Sequence, residues 1–124
     1  MSRHTFTGRA GDLQFVATLG YDRPLKGFHL VIQQTFDDPV IRSLNEDVYV
    51  YSNLDDEALA DVWGYPRTLD YYISVFERLA ISLPPTLLGE VRADRDGDVG
   101  NRIVTYDAAG TPTERLPAQR PAAR

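Results

Sequence analysis

The chain has 124 residues, 43% of them hydrophobic and 25% charged, which is typical of one soluble globular domain. It contains no cysteine, so disulfides, thiolate metal sites and cysteine nucleophiles are excluded. No apolar run approaches the roughly 20 residues that a membrane helix needs, and the N-terminal MSRHTFTGRAGD lacks the apolar segment of a signal peptide. The sequence therefore predicts a cytoplasmic protein without a membrane partner.

The formal net charge of −5 is unevenly distributed along the chain. Residues 37–61 carry eight acidic side chains against Arg42 alone, whereas the preceding and following segments are nearly balanced. Contacts to nucleic-acid phosphates need clustered lysine and arginine. We therefore expect an acidic region in the middle of the chain and no direct binding of nucleic acid.

Alternating apolar residues predict four strands in the first half of the chain, at 3–9, 13–21, 27–36 and 47–52. The first two are joined by a turn at 10–12, which is typical of a hairpin. In the fourth strand, the alternation places Val48 and Val50 inward and Tyr49 and Tyr51 outward.

The period then changes to that of helices. Ser52 or Asn53 can cap a short helix at 55–62, and Thr68 can begin a main helix at 68–82. That helix has an apolar stripe formed by Leu69, Tyr72, Ile73, Phe76, Leu79, Ala80 and Leu83. A third helix is predicted at about 84–93 and a last strand at 101–107.

The predicted order, β-β-β-β-α-α-α-β, favours an α+β fold. We expect an antiparallel sheet of four or five strands with two or three helices packed on one face. Residues 1–107 are predicted to form a single domain. Residues 108–124 contain three prolines and few apolar residues, so we expect a disordered tail there.

Tyrosines accompany the acidic segment. Because tyrosine buries a large area at low entropic cost, acidic and tyrosine side chains together favour binding of a protein partner with a basic surface. The candidate partner-binding residues are Asp37, Asp38, Asp47, Tyr49, Tyr51, Asp55, Asp56 and Tyr71. The alternative is a solvated surface that only confers solubility. Trp63 and Tyr65 are expected to close the edge of the core.

A small enzyme is the main functional alternative. His29 lies in the third predicted strand and is the candidate catalytic residue, with Asp22 or Asp47 as its carboxylate partner. The chain contains no nucleophile elbow and no phosphate-binding loop. No catalytic residue is therefore assigned.

The stretch DRDGDVG, residues 94–100, resembles the start of a calcium loop, with Asp94, Asp96 and Asp98 at positions 1, 3 and 5. Position 6 is Val99 rather than glycine, and position 12 is Thr105 rather than glutamate. The stretch is better interpreted as a polar turn between the third helix and the last strand. We predict no metal and no cofactor, with a calcium-stabilised module as a further alternative.

The segments GYDRPL (20–25), YSNLDD (51–56), LDYY (69–72) and VGNRIVTYD (99–107) resemble those of an uncharacterised family of small accessory proteins on proteobacterial plasmids and integrative elements. The resemblance implies a bacterial accessory role with a host or element protein as partner. It implies no activity and no catalytic residue. The sequence thus favours a non-enzymatic binding protein, such as an inhibitor or accessory factor of a mobile element.

Overall fold

The computed structural model describes residues 1–44 and 49–115, which form an α+β fold with a six-stranded mixed sheet. The strands are β1 (Ser2–Ala10), β2 (Leu13–Asp22), β3 (Gly27–Gln34), β4 (Tyr49–Ser52), β5 (Arg102–Tyr106) and β6 (Pro112–Arg115). The helices are α1 (Pro39–Leu44), α2 (Asp70–Arg78) and α3 (Leu87–Asp96). Among the described residues, no helix is both long enough and apolar enough to cross a membrane.

The spatial order of the strands is β4-β3-β2-β1-β5-β6. Strands β1 to β4 pair antiparallel with their neighbours in sequence, but β5 pairs parallel with β1. The segment containing α2 and α3 connects β4, at one edge of the sheet, to β5 beside β1. The expectation of an antiparallel sheet of four or five strands was therefore wrong in strand number and in the direction of β5.

Strand β6 and helix α1 were both missing from the predicted order. Four residues of the segment expected to be disordered, Pro112–Arg115, pair antiparallel with β5. Helix α1 lies between the third and fourth predicted strands, where no helix was predicted, and Asp38 caps it by accepting from the Val40 amide at 2.8 Å. The observed order of strands and α-helices is β-β-β-α-β-α-α-β-β. Residues 116–124 lie outside the described part of the chain.

Helices α2 and α3 cover one face of the sheet. The apolar stripe of the main helix is confirmed where Leu69, Tyr72 and Phe76 are buried, and Phe76 packs on the Phe6 ring of β1. Ala80, however, is exposed and has a left-handed backbone (φ 57°), because the helix ends at Arg78 rather than at residue 82. Ile73 and Leu79 of the predicted stripe are partly buried, whereas Val75, which the stripe did not include, is buried.

Two 3₁₀ segments, Asn53–Asp55 and Glu57–Val62, replace the predicted helix at 55–62. Ser52 caps the first by accepting from the Leu54 amide, so it caps Asn53–Asp55 and not the predicted helix at 55–62. Asp56 separates the segments and caps the second, since its Oδ1 accepts from the Ala58 amide at 3.0 Å. This break positions Asp56 beside α2.

Candidate functional site

A groove of about 590 Å³ lies between the edge strand β4 and helix α2, and we call it the Asp56 groove. Strand β4 forms one wall and α2 forms the other. Acidic side chains come from the two 3₁₀ segments and from Asp56 between them. The lining residues are Tyr49, Val50, Tyr51, Ser52, Asp55, Asp56, Glu57, Tyr71, Val75, Arg78 and Leu79. Five of the eight residues predicted to bind a partner are therefore brought together in one concave surface.

Asp56 organises this groove. Its Oδ2 accepts hydrogen bonds from the hydroxyls of Tyr51 and Tyr71, each at 2.7 Å. The same carboxylate thus ties β4 to α2 through two tyrosines that are 20 residues apart in sequence. Both rings also make edge-to-face contacts with the buried Tyr72 ring, and these contacts help to fix their orientation. Asp56 acts here as a positioning residue for the two tyrosines.

Burial alone would raise the pKa of Asp56, because desolvation disfavours its charged form. The hydrogen bonds from Tyr51, Tyr71 and the Ala58 amide favour the carboxylate and outweigh burial, so the pKa is lowered. Burial and the bond to Asp56 raise the pKa of Tyr51, and the bond to Asp56 followed by burial raises that of Tyr71. The groove therefore holds an ionised carboxylate and two neutral phenols at neutral pH.

The orientation of β4 differs from the prediction. Tyr51 pairs with Ile32, whose side chain is buried in the core, so Tyr51 faces the helices rather than pointing away from them. A register shift opposite Ile32 and Gln33 breaks the simple alternation of the strand. Tyr49 is 52% exposed and also lines the groove.

The groove carries an excess of negative charge. Asp55 and Glu57 are exposed at its rim, whereas Arg78 is the one cationic side chain among its described lining residues. The positive charge of Arg78 adds to the lowering of the pKa of Asp56, whereas its hydrogen bond and charge only partly oppose the rise in the pKa of Tyr71. The sequence reasoning missed Arg78, although its position seven residues after Tyr71 places both on one side of α2.

Three predicted partner-binding residues are not among those lining the groove. Asp37 accepts a hydrogen bond from the Gln14 side chain at 3.0 Å, and Asp38 caps α1. Asp47 lies outside the described residues. The acidic segment 37–61 is therefore divided between at least two locations.

Exposed apolar side chains are concentrated before and within β4. Val40, Ile41 and Leu44 of α1 and Tyr49 of β4 are four of the eight large hydrophobic residues that are exposed in the described chain. Trp63 is another, with 84% of its surface exposed and a left-handed backbone (φ 57°). The expectation that Trp63 closes the edge of the core was wrong, because Gly64 and Tyr65 turn inward behind it while the indole stays outside.

His29 does not line the Asp56 groove. Its ring is almost fully buried on the opposite face of the sheet, and its Nε2 lies 2.9 Å from the main-chain oxygen of Ser2. Gly20 makes room for it, since a Cβ there would come within 2.6 Å of Nε2. Burial lowers the pKa of His29, and the bond to Ser2 only partly opposes this. This geometry gives the candidate catalytic role of His29 no support.

The three aspartates of DRDGDVG have separate partners. Asp96 pairs with Arg95, and Asp98 accepts from the Tyr21 hydroxyl and the Lys26 ammonium, each at 2.7 Å. Within the described ranges, no group of three or more histidine, cysteine, aspartate or glutamate side chains is arranged to hold a metal ion. The stretch is also not a simple turn, because α3 continues through Asp96.

Asp94 belongs instead to a buried centre that the sequence reasoning did not find. Its Oδ2 lies 2.6 Å from His4 Nε2, and its Oδ1 accepts from Arg102 at 2.7 Å. His4 Nδ1 lies 3.0 Å from the hydroxyl of Tyr106, and Arg102 also pairs with Glu90 at 2.6 Å. We call this set the Asp94 centre. A signal was present, since Arg102, Val104 and Tyr106 alternate on one face of β5.

Burial alone would raise the pKa of Asp94, but hydrogen bonds from His4, Ser2 and Arg102 outweigh it and lower the pKa. The bonds from Asp94 to His4 and to Arg102 join α3 to β1 and β5. Because His4 and Asp94 are both fully buried, these groups are not accessible to a ligand. The Asp56 groove, which is open, is the better candidate site.

Comparisons of the chain with protein-family models, with curated proteins and with solved structures found no match.

Proposed function

We propose that the chain is a non-enzymatic binding protein that engages a basic protein surface through the Asp56 groove. The observation that carries the proposal is the groove's composition. Tyr49, Tyr51 and Tyr71 line one concave surface with three carboxylates and a single arginine. Tyrosines fixed by a hydrogen bond lose little side-chain entropy on binding, and a surplus of carboxylates favours a cationic partner.

The exposed apolar side chains of α1 support the same function. Val40, Ile41 and Leu44 precede β4 in the chain and are exposed, and none of the six residues of α1 is buried. Clustered exposed apolar side chains are typical of protein interaction sites. A partner that covers the groove and α1 would bury apolar area and pair its cations with the acidic rim.

The resemblance to accessory proteins of plasmids and integrative elements suggests a host or element protein as that partner. Binding of such a protein would make this chain an inhibitor or an accessory factor of the element. Both roles need only a stable complex and no chemistry within the groove.

Affinity capture with matched charge variants tests the proposal. The immobilised wild-type chain is compared with the double variant Asp55→Lys, Glu57→Lys, which reverses the groove rim. The control is Asp12→Lys, Asp61→Lys, which makes the same charge change at exposed positions that do not line the groove. Proteins eluted from a native bacterial lysate are identified by mass spectrometry.

We expect a basic protein to be captured by the wild type and by the control but lost with the groove variant. Because both variants have the same net charge, a difference in the captured proteins reports the position of the reversed charges and not the net charge of the chain. An identical set of captured proteins for all three chains would contradict the proposal. Circular dichroism of each variant checks that the fold is retained.

A further inference from the structure

Strand β4 lies at one edge of the six described strands and pairs only with β3 in that sheet. An edge strand presents main-chain N–H and C=O groups to one side that have no partner in the sheet. Such an edge is a template on which an extended segment of another protein can add a strand.

The other edge, β6, is less suited to this role. It begins with Pro112, which has no N–H to donate, and its Glu114 side chain is held by Arg102 at 3.0 Å. Strand β4, with the sequence YVYS, has no proline and no charged side chain that would repel an added strand. The two edges therefore differ in their capacity to accept a neighbour.

The Asp56 groove borders the open edge of β4. Residues 49–52 form one wall of the groove, and Val75 and Arg78 of α2 form the other together with Leu79, which follows the helix. Side chains of an added strand alternate between the two faces of the sheet. Every second side chain of a segment paired with β4 would therefore project toward α2 and enter the groove.

The charge of the groove specifies which side chains enter. Asp55 and Glu57 are exposed at the rim and Asp56 is ionised, while Arg78 is the single opposing cation among the described lining residues. Tyrosine rings also attract cations placed over their faces. Arginine or lysine side chains are therefore favoured at the alternate positions that face α2.

We propose that the partner binds as an extended segment that adds a strand to β4 and places basic side chains, at alternate positions, in the Asp56 groove. This inference rests on the proposed function and specifies its mode of recognition. Main-chain hydrogen bonds to β4 supply affinity, and the acidic, tyrosine-lined groove supplies specificity.

A synthetic peptide of alternating arginine and threonine, blocked at both ends, is the probe. Two derivatives carry N-methyl groups, one on every arginine amide and the other on every threonine amide. In a strand, alternate residues direct their N–H groups to opposite edges. With the arginines facing α2, only one of the two derivatives can pair with β4 in a given direction of the peptide, so the direction that β4 favours decides which derivative binds.

We expect the unmodified peptide to bind the full chain saturably in a fluorescence titration. One methylated derivative should bind about as well, and the other should lose about tenfold or more in affinity. The variant Asp55→Lys, Glu57→Lys should weaken the unmodified peptide by about tenfold, whereas Asp12→Lys, Asp61→Lys should leave it nearly unchanged.

Equal binding of the two methylated derivatives, or equal loss by both, would overturn the strand addition. No saturable binding of the unmodified peptide would overturn it as well. These failures differ from failure of the proposed function, which is judged by whether the groove variant retains the captured proteins. The groove can thus prove to be a protein-binding site even if recognition does not involve β4.

Discussion

Asp56 and Asp94 are both carboxylates held by hydrogen bonds from several side chains, yet one lines an open groove and the other is enclosed between α3 and the sheet. Asp94 is fully buried and is paired with a buried histidine and a partly buried arginine. Asp56 is half-buried and, within the described part of the chain, accepts from two neutral hydroxyls and a main-chain amide. The enclosed carboxylate stabilises the fold, whereas the open one positions a surface.

The difference between the two sites shows why burial and charge must be considered together. A buried carboxylate whose donors are all internal has no capacity left for a ligand. In the Asp56 groove, the same type of interaction orients two tyrosines while neighbouring carboxylates remain exposed to solvent. The first arrangement predicts large stability effects, and the second predicts small stability effects with large effects on binding.

The largest expected effect is from Asp94→Ala. It removes the partner of His4 and one partner of Arg102 inside the protein, and breaking a buried pair typically costs about 3–5 kcal/mol. Urea denaturation measures this loss. The control is Asp96→Ala in the same helix, whose carboxylate is exposed and pairs only with neighbouring Arg95 in the described contacts. We expect the control to change the free energy of unfolding by less than about 0.5 kcal/mol. Similar losses for the two variants would contradict the structural role of the Asp94 centre.

A smaller effect is expected from Tyr71→Phe, which removes one of the two hydroxyls that bind Asp56. A single hydrogen bond contributes about 0.5–1.5 kcal/mol to stability, so the fold should be retained. Tyr51→Phe is the matched variant on the opposite wall of the groove. Because the two hydroxyls share Oδ2, the double variant should deviate from additivity in a double-mutant cycle. Strict additivity would show that Asp56 does not couple the two walls.

The smallest expected effect concerns pH. The pKa of Asp56 is lowered from its ordinary value of 3.8, chiefly because its hydrogen bonds outweigh burial. A lowered folded-state pKa contributes stability that is present above the unfolded pKa and is lost as pH falls through the folded pKa. The stability difference between wild type and Tyr71→Phe should therefore be constant near neutral pH and shrink below about pH 4. Thermal melts at several pH values measure it, and a difference that grows on acidification would contradict this linkage.

Part of the fold was accessible from the sequence because it depends on local periodicity. The first three strands and the core face of α2 follow from alternating or helical apolar patterns, and the structure confirms them. The parallel pairing of β5 with β1 was not accessible, because no local pattern states which strand a segment will join. Strand β6 was missed for a related reason, since its residues acquire partners only from β5.

The residues of the candidate site could be predicted from the sequence, but their arrangement in space could not. Tyr49, Tyr51, Asp55, Asp56 and Tyr71 were selected as an acidic, tyrosine-bearing surface, and all five line the groove. Their function as a binding surface stays a prediction. The sequence did not predict that Asp56 binds both tyrosine hydroxyls or that Arg78 lines the groove, because both depend on how α2 lies against β4.

The sequence by itself determined where apolar faces occur, where acidic charge is concentrated and which segments alternate or turn. These properties depend on residues that are near each other in the chain. Only the tertiary structure decided that one aspartate of DRDGDVG is buried against His4 and Arg102, and that another, Asp98, binds Tyr21 and Lys26. The physical reason is that hydrogen bonds and ion pairs act over a few ångströms in space, and folding brings together residues that are as many as 102 positions apart.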